Sequence, residues 1–158
     1  MKNRMEIIAE IAQGYEGNEK LTNLLTKGAI ASNADAVKFQ LVYADELATP
    51  DYKYYKLFQD LEMDKSIWID VCNQIHSSNK KVYFDVFGLS SLDMAKDLGA
   101  DGIKLSTTEF YNNALFESAI DKIAFANNLS VTKTKDDYYL FENAHTPSQN
   151  GLSYKSSR

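Results

Sequence analysis

The sequence predicts an α/β fold of about four parallel strand–helix (βα) units, followed by an irregular C-terminal tail. Short apolar runs alternate with amphipathic helical patterns from Glu6 to about Ile120. This alternation is typical of parallel strands joined by right-handed helical crossovers. The predicted strands begin near residues 6, 35, 81 and 102, so three steps cover 96 residues, or 32 per unit. A closed eight-fold barrel of about 250 residues has about 31 per unit. The rhythm therefore fits half of such a barrel or a small doubly wound sheet.

Four segments have the composition of buried strands. The first follows a polar N-terminus, and Gly14 and Gly17 mark the turn after it. A long connection that contains Pro50 and several tyrosines follows the second strand. The predicted strands are residues 6–12, 35–42, 81–87 and 101–106.

Helical patterns follow each of these strands. Asn18 is a favourable N-cap, and Leu21, Leu24 and Leu25 recur behind it at helical spacing, which predicts a leucine-lined buried face. Gly99 is placed to end the third long helix at its C-terminus. The long helices are expected to begin near Asn18, Asp64, Ser90 and Asn113.

The charge, the apolar runs and the cysteine count indicate which partners and which location the protein can have. The 158 residues carry a net charge of −5 with acidic and basic residues interleaved, which argues against nucleic acid or an anionic membrane as partner. The apolar run at residues 7–12 contains Glu10 and is too short to span a bilayer. Cys72 is the only cysteine, so no intramolecular disulfide is expected, and a cytoplasmic location fits.

The rhythm changes in the last 38 residues. Residues 122–126 have the composition of the start of a fifth strand, but no convincing amphipathic helix follows them. Residues 132–141 alternate only weakly, as in a strand or hairpin, and the segment from Glu142 onward is rich in Ser, Asn and Lys. We therefore expect residues 1–120 to form the strand–helix units. Residues 121–158 are expected to be an irregular or disordered tail, of the kind that a truncated or frame-disrupted fifth unit would leave.

Polar residues stand at the carboxyl ends of all four predicted strands, where parallel α/β folds bind ligands. A lysine inside an apolar strand is costly unless an anion pairs with it, so Lys38 and Lys104 indicate a shared anionic ligand. The alternative is that these lysines pair with carboxylates across the sheet. The candidate residues are Glu10, Lys38, Gln40, Asp85, Lys104, Thr107 and Glu109.

A family resemblance is carried by four stretches, residues 7–17, 34–40, 45–50 and 99–109, the last followed by 112–115. These stretches resemble the N-acetylneuraminate (sialic acid) synthases. The opening strand and loop, the second strand, the segment after it and the fourth strand with its loop are all similar to that family. The resemblance covers roughly residues 6–120, and it favours half of a barrel over a doubly wound sheet.

This resemblance implies a function. Family members form dimers of a (β/α)8 barrel with a C-terminal antifreeze-like domain, and they condense phosphoenolpyruvate with N-acetylmannosamine or a related N-acyl amino sugar. Carried over by motif, four residues would hold phosphoenolpyruvate, and Glu10 and Glu109 would face the sugar as catalytic residues. A divalent metal, Mn or Mg, is also implied, and its ligands are not expected in this chain. The phosphoenolpyruvate-binding residues would be Lys38, Gln40, Lys104 and Thr107.

One position departs from the family pattern. The third strand of family members usually ends in a Ser-Thr-Pro-Phe-like stretch whose threonine touches phosphate. Here the stretch is Phe84-Asp85-Val86-Phe87, which puts a carboxylate where a phosphate would lie. A like charge there weakens phosphate binding unless a cation offsets it. Asp85 therefore indicates a divergent subgroup or an altered substrate.

Three hypotheses about the whole protein remain open from the sequence. The first is a synthase-family member truncated or frame-disrupted after the fourth unit. The second is a split enzyme whose other half-barrel is a separate chain, and the third is a non-catalytic half-barrel that binds ligands or partners. Because an open four-stranded sheet leaves edge strands unpaired, we expect self-association or a second-half partner.

Overall fold

The computed structural model divides the chain between Glu109 and Phe110 into two compact units. Side chains are described through residue 121, with the exception of residues 107 and 110. The structure describes residues 5–109, 111–126, 129–133, 138–143 and 152–155.

A parallel sheet of four strands forms the centre of the first unit, and the strands lie side by side in their order along the chain. All four strands lie within the segments predicted from the sequence. Because each strand pairs with the next one along the chain, the winding never reverses, and there is no switch point of the doubly wound kind among the described strands. The fold is an α/β partial barrel, as predicted. The strands are β1 (Ile8–Ala12), β2 (Ala36–Gln40), β3 (Lys81–Val86) and β4 (Gly102–Leu105).

Five helices connect these strands. The helix predicted behind Asn18 begins at Glu19, and the Asn18 side chain accepts a hydrogen bond from the Leu21 amide at 3.0 Å. The helix predicted at Ser90 begins one residue earlier, at Leu89. The helices are α1 (Glu19–Ala31), α2 (Ala44–Leu47), α3 (Tyr55–Leu61), α4 (Lys65–Ser77) and α5 (Leu89–Asp97).

The buried face of α1 differs from the predicted leucine face. Thr22 and Thr26 are fully buried, whereas Leu24 is 67% exposed. Each threonine hydroxyl donates to the carbonyl four residues earlier, Thr22 to Asn18 at 2.7 Å and Thr26 to Thr22 at 2.8 Å. Because these bonds satisfy the hydroxyls, the threonines can be buried without an unpaired polar group.

The apolar core lies between the sheet and α4. Phe39 of β2 and Phe84 of β3 are adjacent in register and fully buried, and their rings lie 5.4 Å and 5.8 Å from the ring of Trp68. Tyr15, in the loop after β1, meets Trp68 edge-on at 5.2 Å. Successive strand residues point to opposite faces, so the side chains on the other face of the sheet are free to be polar.

The second unit contains helix α6 (Asn113–Ala126) and an antiparallel sheet in the order β5-β6-β7. The boundary lies after residue 109 and not at residue 120, and residues 122–126 belong to α6 and not to a fifth strand. The strand or hairpin indicated at residues 132–141 overlaps two strands of this sheet, within a segment otherwise expected to be irregular. The described tail segments are rich in β-branched and aromatic residues, and antiparallel pairing of short strands does not require an amphipathic helix. Residues 127–128, 134–137, 144–151 and 156–158 lie outside the described part. The strands are β5 (Leu129–Lys133), β6 (Tyr138–Asn143) and β7 (Leu152–Lys155).

Candidate functional site

Charged side chains line the face of the β1–β4 sheet opposite Trp68. The register pairs Glu10 with Lys38, Gln40 with Asp85, and Asp85 with Lys104. Residues paired in a parallel sheet point to the same face, so these five side chains lie together near the carboxyl ends of the strands. We call the four charged members, Glu10, Lys38, Asp85 and Lys104, the charged row.

Lys38 lies between two carboxylates. Its Nζ is 2.6 Å from Glu10 Oε2 and 3.3 Å from Asp85 Oδ1, and its side chain is 14% exposed. Burial by itself disfavours the charged ammonium, but the hydrogen bond to Glu10 and the charge of Asp85 outweigh it. The pKa of Lys38 therefore lies above its ordinary value.

Asp85 is the most buried member of the charged row, with 2% of the residue exposed. Its Oδ2 accepts a 2.7 Å hydrogen bond from Lys104 Nζ and a long one, 3.5 Å, from Gln40 Nε2. Its Oδ1 has no hydrogen-bond partner among the described residues and forms an ion pair with Lys38 Nζ at 3.3 Å. One carboxylate thus lies between the two lysines that the sequence singled out.

Glu10 has a second contact, which sets its orientation. The amide of Ala12 donates to Glu10 Oε1 at 3.0 Å, and the pairing of β1 with β2 shifts register between these two residues. Ala12 has φ 53°, a left-handed conformation that costs a non-glycine residue about 1–2 kcal/mol. The irregular end of β1 therefore turns a backbone N–H toward the Glu10 carboxylate.

Tyr15 supports the same end of the sheet and was not identified as a site residue from the sequence. It is fully buried, and its hydroxyl donates to the Gln40 carbonyl at 2.9 Å. Burial raises the pKa of Tyr15, and a backbone hydrogen bond with Val42 offsets this only in part. The signal available in the sequence was an aromatic residue between two turn glycines directly after a strand.

Thr107 and Glu109 lie in a single 3-10 turn, Thr107–Glu109, that follows β4. The Glu109 amide donates to the Ser106 carbonyl at 3.0 Å. The side chain of Thr107 lies outside the described part of the structure. These two residues are therefore placed beyond Lys104 at the carboxyl end of the sheet, as the sequence predicted for that segment.

The N-terminus of α5, just beyond β3, is already capped by a carboxylate. Glu46 Oε1 accepts from the amides of Ser90 at 2.6 Å and Ser91 at 3.2 Å. A helix N-terminus attracts anions because its first amides lack partners and the helix dipole is positive there. In this chain a side chain from α2 takes that position.

The described residues do not by themselves fit the divalent metal that the family resemblance implies. No three His, Cys, Asp or Glu side chains in the described part of the chain are grouped so that they could hold a metal ion. The two carboxylates of the charged row both contact Lys38. We therefore derive no chemical step through a metal.

Three solved structures share this fold. A synthetase of N-acetylneuraminic (sialic) acid from Leptospira borgpetersenii serovar Hardjo-bovis, in complex with citrate, has a TM-score of 0.68 and 22% identity. A spore coat polysaccharide biosynthesis protein from Bacillus subtilis has 0.61 and 21%, and a putative spore coat polysaccharide biosynthesis protein E from Chromobacterium violaceum has 0.58 and 18%. The chain is similar in fold to part of a sialic acid synthase.

The similarity covers most of this chain but less than half of each match. It covers 77%, 80% and 77% of this chain and 45%, 40% and 38% of the Leptospira, Bacillus and Chromobacterium proteins, respectively. No protein-family model matches the sequence, and no curated protein does. At this identity the likeness to sialic acid synthases concerns the fold, and the roles of individual residues stay predictions.

No helix in the described part of the chain is both long and apolar enough to cross a bilayer.

Proposed function

We propose that this chain supplies part of the active site of a phosphoenolpyruvate-dependent synthase. The reaction would join phosphoenolpyruvate to N-acetylmannosamine or a related N-acyl amino sugar, giving a sialic-type acid. The observation that carries the proposal is the convergence of two ammonium groups on one carboxylate. Lys38 and Lys104 approach different oxygens of Asp85, at 3.3 Å and 2.7 Å. The sheet thus holds two cations at a spacing that spans one small anion, at the strand ends where such folds bind ligands.

Each site residue has a place in this chemistry. Lys38 and Lys104 would bind the phosphate and carboxylate of phosphoenolpyruvate, since charge-assisted hydrogen bonds are the strong ones. The amide of Gln40 and the hydroxyl of Thr107 would add neutral hydrogen bonds. Glu10 would face the sugar, held by its bond from the Ala12 amide.

The bond changes follow from the substrates. The methylene carbon of phosphoenolpyruvate attacks the sugar aldehyde carbon, forming the new C–C bond and leaving an oxocarbenium centre at the former enol carbon, while the aldehyde oxygen takes up a proton. Water adds to that centre and releases a proton, and phosphate leaves with cleavage of its C–O bond, which gives the 2-keto acid. Glu10 and Glu109 are the carboxylates we assign to the sugar side.

The partners in this proposal are phosphoenolpyruvate, the amino sugar and a second polypeptide surface. The proposed location is the cytoplasm. β1 and β4 are the outer strands of the described four-stranded sheet. Unpaired strand edges are templates for pairing with another chain. We propose that a second copy of the chain, or a separate second half-barrel, pairs with these edges.

A second candidate function is a half-barrel that binds ligands or partners without catalysis. The observation that favours it is that both lysines already have a carboxylate partner within the chain. In this case the charged row is a structural ion network, which is the alternative in which the lysines pair with carboxylates across the sheet.

Calorimetric titration with phosphoenolpyruvate distinguishes these candidates. We expect Lys104→Met to weaken binding at least about tenfold, because a hydrogen bond to a charged group contributes about 1.5–3 kcal/mol. Lys104 is half exposed, so its removal should leave the fold intact. The matched control is Lys56→Met, which removes an exposed lysine paired with Asp60 on α3. Binding that is absent, or equal in both variants, would favour the structural network.

Turnover is a separate measurement. We expect negligible phosphate release when the chain alone is given phosphoenolpyruvate, N-acetylmannosamine and manganese, because its described residues include no metal-binding group. Phosphate release at an ordinary enzymatic rate would show that the chain carries a complete site.

A further inference from the structure

We propose that Asp85 is a built-in competitor for the phosphate group of the ligand and thereby sets which anions the site accepts. This inference rests on the proposed function, since it concerns the same two lysines. Asp85 holds both ammonium groups in the protein without ligand. A ligand phosphate enters by taking over Lys104 and shares the site with a buried negative charge.

The position of Asp85 is that of an anionic ligand. It lies in register between Gln40 and Lys104, and its two oxygens approach Lys104 at 2.7 Å and Lys38 at 3.3 Å. A phosphate that contacts both ammonium groups would therefore lie within ion-pair range of this carboxylate. The repulsion grows in proportion to the charge of the ligand.

The contacts of Asp85 are unequal, which lets a ligand replace one of them. Lys104 is 53% exposed at the side chain, so its ammonium can turn toward a ligand while its stem stays in place. Lys38 is only 14% exposed and is paired with Glu10 at 2.6 Å, so we expect it to keep this partner when an anion enters. Asp85 Oδ1 has no hydrogen bond among the described residues and meets Lys38 only as an ion pair at 3.3 Å, so Lys104 provides the short hydrogen bond of this carboxylate.

This arrangement has a consequence for specificity. With Asp85 charged, the charged row contains two positive and two negative groups and has no net charge. The Asp85 charge repels a dianionic phosphate about twice as strongly as it repels a monoanionic carboxylate at the same distance. Removing the Asp85 charge should therefore improve the binding of a phosphate monoester more than the binding of pyruvate.

The test compares wild type, Asp85→Asn and a matched control, Asp60→Asn, which removes a charge from an exposed pair on α3. Phosphoenolpyruvate, inorganic phosphate and pyruvate are titrated by calorimetry above about pH 7.5, where a phosphate monoester carries nearly two negative charges. We expect Asp85→Asn to bind both phosphate compounds about tenfold more tightly or better. Pyruvate should gain less, and Asp60→Asn should match wild type.

The outcomes separate this inference from the proposed function. Equal or weaker phosphate binding in Asp85→Asn overturns the competitor role, even where wild type binds phosphoenolpyruvate. Tighter inorganic phosphate binding in Asp85→Asn, with no phosphoenolpyruvate binding by either protein, supports the competitor role and removes the proposed substrate. An absence of anion binding in every protein overturns both.

A measurement on the unmodified protein covers the case in which Asp85→Asn does not fold. The carboxyl ¹³C resonance of Asp85 is followed while inorganic phosphate is added. The competitor role predicts a saturable shift as Lys104 leaves Asp85 Oδ2. A resonance that stays unchanged while phosphate binds overturns it.

Discussion

Lys38→Met tests how much the charged row contributes to stability. The substitution keeps an unbranched side chain of similar reach but removes the ammonium between Glu10 and Asp85. Glu10 is 45% exposed at the side chain, so water can replace its lost partner. Asp85 is 3% exposed at the side chain and is left with Lys104 and a long hydrogen bond from Gln40.

The expected loss of stability is the sum of the costs at Asp85 and at Glu10. Breaking a fully buried ion pair by removing one partner costs about 3–5 kcal/mol. Asp85 keeps Lys104, so its share is closer to the cost of one lost contact to a charged group, about 1.5 kcal/mol. The half-exposed Glu10 adds about 0.5 kcal/mol, as for a surface pair. We expect the free energy of unfolding to fall by about 2 kcal/mol.

Urea unfolding followed by tryptophan fluorescence measures this change. Trp68 is the only tryptophan and packs against Phe39 and Phe84 in the core of the same unit, so its emission reports on that core. Lys56→Met is the control and should stay within about 0.5 kcal/mol of wild type. The double variant with Asp85→Asn should recover part of the loss, since no buried charge remains without a partner. A Lys38→Met loss no larger than that of the control would refute the reasoning.

Three further predictions concern the surroundings of the site. Glu46→Gln should lower the urea midpoint by an amount equivalent to about 1 kcal/mol, because the N-terminus of α5 loses a charged cap, and an unchanged midpoint would contradict this. Burial raises the pKa of Cys72 to about 12, so iodoacetamide should alkylate the folded protein far more slowly than the urea-unfolded protein, and equal rates would count against it. The raised pKa of Tyr15 means that the folded state keeps a phenol proton that the unfolded state loses above about pH 10. That contribution to stability is complete below this pH and should be lost as the pH rises further. The melting temperature of the wild type should therefore fall more steeply above this pH than that of Tyr15→Phe, and equal slopes would contradict the prediction.

Most of the framework of the first unit was predictable because its signals are local. Apolar runs and helical periodicity located all four strands, and the caps at Asn18 and Asp64 located two helix starts. Parallel strands place their carboxyl ends at one edge, so the convergence of Lys38 and Lys104 followed without coordinates. For the second unit the sequence indicated only a strand or hairpin at residues 132–141 and not the three-stranded sheet, since its short strands alternate only weakly.

The sequence by itself determined the polar content of the site: two lysines in apolar strands, with a carboxylate on the strand between them. Only the tertiary structure decided how these charges pair. The register that sets Asp85 beside Lys104 depends on how far β3 and β4 are shifted against each other. A slip of one residue would turn Asp85 to the face that packs on Trp68. Strand periodicity is a local property of the chain, whereas register and burial arise from contacts between distant segments, and these made Asp85 the shared counter-ion of both lysines.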